Sequence, residues 1–599
     1  MSILHLDIPT LSGDTSSLSE MAPENLQGWL DSLPLTDVTD SGRQVVTVLQ
    51  KYNSVAMDTD VRFESMVRFA PVVGQLLEAT RDKLRGSAFP LSSKNLERAM
   101  MAMKFVQHMA DGFKICVTEL DAGKGNPENA QIKLLKSVHA SVKYLAEQLL
   151  SCYLIYYPEP ANVWRQINNL YYYAEKKGIK DKVLGAEEDA QRTANTIEHL
   201  YKRLVLLATS NPYHLMEGEA AAILEHLNNW ATRCTISEIA KNSVVKGHFY
   251  VDLAGEMPPR FASGHMEHAP VEGRSIDVDI LVDNLSKLIL RISEQSSNKP
   301  MSLKDRMNRD MLLRIQHAWG GRTDRQEQRQ SNAETVELAS GMGATHYFIS
   351  GGKDFLPEKV EIDIQEEKGT SSGLSLMPLD DDQWKRDEIK EKIDAGVTQH
   401  RVSSFGDNKE DMWGKIHATK AHHQSVIEEE AARHSTNTWK KFNESSGGIG
   451  LSNANPATSR IRVGDLAVYR NSNETGWSVG TIRWLNNRNN VSMDVGIKGI
   501  SANASDAGVR GIAGIGEGGE YFRSILCRKN VHGNEVNTII VPASIYDTGS
   551  MLVLNSNNSI SYIRLEKLLD TTTSYSQFEY SETEKPADNP YLKKFLQTN

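Results

Sequence analysis

The apolar positions of this chain change their spacing part-way along, and that change limits the folds open to it. Up to about residue 295 they recur every three or four places. Val138, Val142, Leu145, Leu149 and Cys152 follow Leu135 in this way, and Ile197, Leu200, Leu204 and Leu207 repeat the pattern. Such spacing puts one apolar stripe on a helix, which other helices must then cover. Pro158, Pro160, Pro212 and the Gly123–Pro127 stretch punctuate the segments. The spacing predicts an all-α bundle or solenoid over 41–295, preceded by a partly ordered leader, 1–40. Trp164, Ile167 and Tyr171 sit at tetratricopeptide offsets, but no second copy follows, so an array is not expected. A short β-like piece is read at His248–Leu253.

A helix is predicted at Leu303–Trp319, its buried stripe formed by Leu303, Met307, Met311, Ile315 and Trp319. Lys304, Arg306, Arg309 and Arg314 lie off that stripe. From about Glu334 the period becomes two. Glu334–Ser350, Leu466–Tyr469, Trp477–Trp484 and Val491–Ile497 read as strands, as do Ile539–Val541, Met551–Leu554 and Ile560–Ile563. Many short strands with Gly/Asn turns predict an antiparallel β-barrel. Its expected core is Trp439, Val463, Leu466, Val495 and either Trp477 or Trp484. The fold class is therefore α+β and multidomain.

Between the β segments lies a polar stretch, 353–436, carrying Asp380-Asp381-Asp382 and Glu428-Glu429-Glu430. Such a composition buries too little apolar surface to offset its ordering entropy, so it is expected to be a disordered insertion. A loose tail is expected at 581–599.

Composition excludes several functions. Lys+Arg 67 against Asp+Glu 77 gives a net charge of -10, the wrong sign for a nucleic-acid coat. No apolar run approaches the roughly 18 residues of a membrane span, and the N-terminus lacks a signal-peptide layout. The four cysteines, Cys116, Cys152, Cys234 and Cys527, form no C-x-x-C pair. A cytoplasmic setting fits. Gly514, Gly516 and Gly519 spell G-x-G-x-x-G, but without the βαβ setting a dinucleotide site needs. His417, His422 and His423 lack acidic or cysteine partners for a metal, so no metal is expected. No hydrolase, zincin or Walker pattern appears, and no enzymatic activity is expected.

Two pieces remain. Arg322, Arg325 and Arg329 stand close together in one basic loop. Guanidinium groups grip phosphates bidentately, bind the O6/N7 edge of guanine and stack on purines. Further on, Asn443 and Ser445 end a predicted strand, and Gly448 opens Gly-Ile-Gly-Leu. The short polar side chains present donors and acceptors from a tight hairpin, and glycine admits close backbone approach.

Together these pieces resemble the signature of the PilZ family of bacterial cyclic-di-GMP receptors, R-x-x-x-R followed by D/N-x-S-x-x-G. Arg325 and Arg329 match the first half, and Asn443, Ser445 and Gly448 the second. Val463–Leu466 and Trp477–Leu485 also resemble PilZ barrel strands. The overall layout is similar to FimW-like long bacterial proteins tied to type IV pili. The resemblance implies that Arg325 and Arg329 clasp the phosphates and guanine edges of cyclic-di-GMP, with help from Arg322. It implies that Asn443 and Ser445 contact a guanine and that Gly448 keeps the turn tight. In the family the two halves lie closer together. Here the acidic segment intervenes, read as an insertion between the first two barrel strands. Arg433 stands nearer to the second half but has no partner arginine in register.

The expected organisation is thus a helical domain, then 296–352 with a linker helix, the arginine loop and the first PilZ-like strands. The insertion follows, and then the barrel with a C-terminal β extension, 437–580. The expected function is a cyclic-di-GMP effector that engages a protein partner, in pilus or motility control. The competing expectation is an assembly scaffold whose barrel no longer binds nucleotide.

Overall fold

The computed structural model describes residues 4–13, 18, 22–184, 195–240, 247–262, 270–295, 303–320, 334–353, 355–357, 434–445, 447–456, 460–488, 492–512, 520–531 and 534–584. The insertion read at 353–436 falls almost wholly outside them, as does the tail read at 581–599 except for its first residues, which belong to a strand that runs to Thr583. The chain forms two compact units. One holds Met1–Glu294, Met311–Gln326 and Leu485–Met493; the other holds Gln295–Asp310, Glu327–Trp484 and Asp494–Asn599.

The first unit is mainly helical. Its helices are α1 (Leu26–Asp31), α2 (Val38–Ser54), α3 (Thr59–Leu84), α4 (Ser93–Asp121), α5 (Ala130–Leu154), α6 (Val163–Lys176), α7 (Ile197–Thr209), α8 (Glu219–Trp230) and α9 (Asp279–Gln295). Asp37 and Asp58 start α2 and α3 by accepting hydrogen bonds from first-turn N–H groups. The stripe that begins at Leu135 is buried as its spacing requires: Val138, Val142 and Leu149 are fully enclosed, in one core to which all of these helices contribute. Arg62 is enclosed there too; it donates to Tyr52 O and Val55 O at 2.7 and 2.6 Å, and its Nε lies 3.9 Å from Glu119 Oε2. Buried charge of this kind is tolerated only when so bonded.

The region 41–295 is helical as expected but holds more β structure than the one short piece read at His248–Leu253. A four-stranded antiparallel sheet, β1 (Thr235–Glu238), β2 (Phe249–Asp252), β3 (Arg260–Phe261) and β4 (Gly273–Asp277), lies within it in the order β1-β4-β2-β3. Strands of two to five residues are too short to display a period, and only β2 was read from sequence. Helix α10 (Leu303–Trp319) has the bounds the sequence predicts. Met311, Ile315 and Trp319 are buried, and the Trp319 indole N–H donates to Thr209 Oγ1 at 3.1 Å. Arg306, which lies off the predicted stripe, is nonetheless buried and ion-paired with Asp547.

The second unit contains two closed antiparallel barrels. The first has strands β5 (Thr335–Ser340), β6 (Asn437–Ser445), β7 (Gly448–Asn453), β8 (Leu466–Asn471), β9 (Ser478–Arg488) and β10 (Ser492–Ser501), in the order β10-β7-β6-β5-β8-β9. The second has β11 (Ala504–Gly511), β12 (Phe522–Val531), β13 (Asn534–Pro542), β14 (Met551–Ser556), β15 (Ser559–Thr571) and β16 (Tyr575–Thr583), in the order β11-β12-β13-β16-β15-β14. Closure removes exposed sheet edges from both. The sequence reading of one barrel with a β extension is refined to two barrels.

Two details differ from expectation. Glu334–Ser350 is not all strand: β5 ends at Ser340, Gly341 takes a φ of 97°, and Met342–Ile349 forms helix α11. Met342, Gly343, Ala344, Thr345 and His346 are consecutive and all buried. A continuous run of this kind suits an element covered on several sides and does not distinguish helix from strand by period. Trp439, Val463, Leu466 and Val495 are buried as expected, but Trp477 and Trp484 are only half-buried. Trp477 lies under the Arg470 guanidinium, 4.3 Å from its ring centre, and beside Phe348.

The two barrels share a core. Met342 of α11, Leu466 and Val479 pack with Ile525, Cys527, Ile540 and Tyr575 of the second barrel. Polar bonds line the same junction. The Tyr575 hydroxyl meets Thr481 Oγ1 at 2.5 Å, Arg483 bonds Asp570 at 2.7 Å, and Ser574 Oγ donates to Asp465 Oδ1 at 2.6 Å. Tyr575→Phe removes one hydroxyl and strands Thr481, and should destabilise the second unit by about 1–2 kcal/mol, measured by urea unfolding. Burial also holds the His346 imidazole neutral, with a pKa lowered to about 3. Its ordinary value is about 6.5, so protonation favours the unfolded chain. This residue's contribution therefore erodes as pH falls from about 6.5 towards about 3.

Candidate functional site

The site is built on the β6–β7 hairpin. Lys441 pairs with Leu451, Asn443 with Gly450 and Ser445 with Gly448, so Phe442 is an extra residue on β6. A bulge of this kind re-aims the side chains around it. Phe442 and Asn443, neighbours in sequence, both lie against Gly450: a Cβ there would meet Asn443 Oδ1 at 2.4 Å and the Phe442 ring at 2.8 Å. Asn443 and Ser445 are half-buried, and Ser445 Oγ donates across the hairpin to Gly448 O at 3.4 Å. The Gly448 requirement comes from a neighbour: a Cβ there would stand 2.2 Å from the Ile497 carbonyl oxygen of β10. Gly448→Ala must push β7 and β10 apart. It should cost about 1–3 kcal/mol, seen as a lower melting temperature of the full chain.

The strand beside the hairpin bears on the arginine loop. β5 pairs antiparallel with β6 through Thr335↔Lys440, Val336↔Trp439, Glu337↔Thr438 and Leu338↔Asn437. Traced backwards from Thr335, the chain therefore heads towards the Asn443–Ser445 end of β6. Glu334 continues the pairing, since Lys441 N donates to Glu334 O at 2.8 Å. The Lys441 side chain is buried and its ammonium donates to Glu334 and Glu444, each at 2.7 Å. Burial opposes its charge, but the two carboxylates outweigh that and raise its pKa above the usual value. This clip fixes the point at which the preceding segment joins the barrel.

An aromatic pair stands next to Asn443. Phe442 is exposed and Trp484 half-buried, with ring centres 6.4 Å apart. The Trp484 indole packs so closely on Gly496 that a Cβ there would overlap it. Sequence reading assigned Trp484 to the alternative core positions and gave Lys441 and Phe442 no role. The bulge that brings Phe442 to this side has no signature in the residue pattern.

Asn443, Ser445 and Gly448 are thus brought together on one hairpin. Arg322, Arg325 and Arg329 lie outside the described residues, as do Arg433, the three histidines His417, His422 and His423, and the glycines Gly514, Gly516 and Gly519. One group of possible metal ligands occurs among the described residues: His248, Asp277 and Asp279, with ligand atoms within 4.8 Å of one another. Asp277 Oδ1 accepts the Asp279 N–H at the start of α9, so helix capping accounts for that carboxylate. All four cysteines are buried, and burial pushes each thiol up to about 12, which makes them unreactive. Among the described residues no helix is long and apolar enough to cross a membrane.

Three family models match the chain in succession. Residues 24–241 match the N-terminal domain of the cyclic-di-GMP receptor FimW, residues 248–505 its middle PilZ domain, and residues 507–583 its C-terminal β-barrel domain. A curated relative, the cyclic-di-GMP receptor FimW of Pseudomonas aeruginosa (strain PAO1), is 22% identical over 608 aligned residues. The alignment covers 98% of this chain and 95% of that protein. No solved structure matches.

Proposed function

Because the chain belongs to the FimW family, whose three domains it carries in order, we propose that it binds cyclic-di-GMP on its first barrel. The ligand sits between the arginine segment Arg322–Arg329 and the β6–β7 hairpin. The observation that carries this reading is the pairing of β5 with β6. It brings Glu334 against Lys441, residues 107 apart in sequence. Arg329 is five residues before Glu334, within about 17 Å of contour, and Asn443 is two residues beyond Lys441. The pairing supports this reading because it leaves Arg329 within reach of the hairpin, whatever length of chain separates the two halves of the motif.

In this reading Arg325 and Arg329 hold the phosphates and a guanine edge, with Arg322 assisting. Asn443 and Ser445 bond a guanine from the hairpin. Phe442 and Trp484 offer it an apolar flank. No step is chemical: the chain acts as a cytoplasmic effector, and the bound state is passed to a protein partner in pilus or motility control. Binding shifts the population of states that the partner recognises.

Calorimetric titration of the full chain with cyclic-di-GMP tests this, alongside a version in which residues 358–433 are replaced by a short Gly/Ser linker. Both should bind with affinities within about threefold, since loop length enters closure entropy only logarithmically. A folded wild-type chain that shows no heat at high micromolar ligand would instead be an assembly scaffold.

A further inference from the structure

Two carboxylates flank the place where the nucleotide reading puts an anion. Glu444 stands between Asn443 and Ser445 in the chain, and Glu334 follows Arg329 by five residues. Their side chains are 44% and 43% exposed. Unopposed, they would repel a ligand that carries two phosphate charges.

Lys441 meets both. Its side chain is 2% exposed, whereas the neighbouring Lys440 is exposed. An ammonium has three donors. Two go to Glu334 Oε2 and Glu444 Oε2 at 2.7 Å, and Asn471 Oδ1 on β8 accepts at 3.4 Å. The acceptors come from the chain just before β5, from the hairpin and from β8, so one buried nitrogen ties together stretches far apart in sequence. The register of β6 against β7 shifts between Lys441 and Asn443. The anchor therefore sits at the bulge that sets Asn443. These pairs are not ordinary surface contacts, because a buried ammonium that loses its partners stays uncompensated.

We propose that Lys441 is a positioning residue of the cyclic-di-GMP site: it draws the carboxylates of Glu334 and Glu444 away from the ligand and holds the chain that follows Arg329 against the Asn443–Ser445 hairpin. The inference rests on the nucleotide reading and gives Lys441 no contact with the ligand itself.

Calorimetry with cyclic-di-GMP on variants of the full chain tests it, with urea unfolding of each. Glu334→Ala separates two effects of opposite sign. Removing a carboxylate near an anion should raise affinity by charge alone, whereas opening the clip should lower it. The expected result is a loss of about threefold to tenfold, between the worth of an exposed ion pair and that of a hydrogen bond to a buried charge. In an Arg329→Ala background the same substitution should cost no more than about twofold, because the side chain that the clip places is gone; a mere staple of the fold would cost the same in both. Lys441→Met frees both carboxylates and should lose at least about tenfold. Should that variant fail to fold, Glu334→Ala still decides, since its side chain is half-exposed and its loss leaves Lys441 paired with Glu444. Unchanged or tighter binding by Glu334→Ala, an equal loss in both backgrounds, or wild-type affinity in folded Lys441→Met overturns the proposal and leaves the nucleotide reading standing. A folded wild-type chain that shows no heat refutes that reading, and this inference with it.

Discussion

Arg325→Ala and Arg329→Ala should each lower cyclic-di-GMP affinity by roughly tenfold to a hundredfold. The ligand offers two phosphates and two guanine edges, and arginine alone presents a planar fork to both. One bidentate guanine contact is worth about 1–3 kcal/mol, which converts to that loss at about 1.4 kcal/mol per decade. Asn443→Ala and Ser445→Ala should act in the same direction by less, because neutral hydrogen bonds contribute about 0.5–1.5 kcal/mol. Arg433→Ala should leave affinity unchanged. Calorimetry on folded variants decides. If Arg433→Ala abolishes binding while Arg325→Ala and Arg329→Ala do not, the meeting of the two motif halves across β5 and β6 is wrong.

Trp439→Ala should destabilise the second unit by about 3–5 kcal/mol. Trp439 is 1% exposed and pairs with Val336 at the centre of the β5–β6 contact. Its removal leaves a large cavity between strands that closure prevents from collapsing. Trp439→Phe should cost much less, since the indole N–H has no acceptor among the described residues and nothing is stranded by its loss. Trp477→Ala and Trp484→Ala should also cost less, because both rings are half-exposed. Equal losses for the three alanine variants in urea melts would place the barrel core elsewhere.

The sequence made some of this legible and hid the rest for identifiable reasons. Helices with long stripes, such as those from Leu135 and from Leu303, could be read because burial on one side imposes a period over several turns. The strands around Leu466, Val495 and Val541 could be read for the same reason at period two. The sheet β1–β4 could not, because its strands are shorter than the pattern needed to reveal them. Helix α11 misled because it is covered on several sides, and Met342–His346 lose all periodicity in consequence. At the candidate site, the spacing singled out Asn443, Ser445 and Gly448, which the structure puts on one hairpin. The buried Lys441 bridging Glu334 and Glu444 was not singled out, since a lysine next to another lysine looks like solvent-facing charge.

The junction between the barrels bears on how the protein can be dissected. Family boundaries place the middle and last domains on either side of residue 506. A chain cut there would lay bare Leu466, Val479 and Met342 on one fragment and Ile525, Ile540 and Tyr575 on the other. Each piece would carry an adhesive apolar scar and several orphaned polar groups. The two modules are thus distinct as folds but not in solubility: a fragment ending near 505 should aggregate, whereas one carried through Thr583 should not. The last barrel acts for its neighbour as a built-in folding partner, so mutations in it will look like defects of the first barrel.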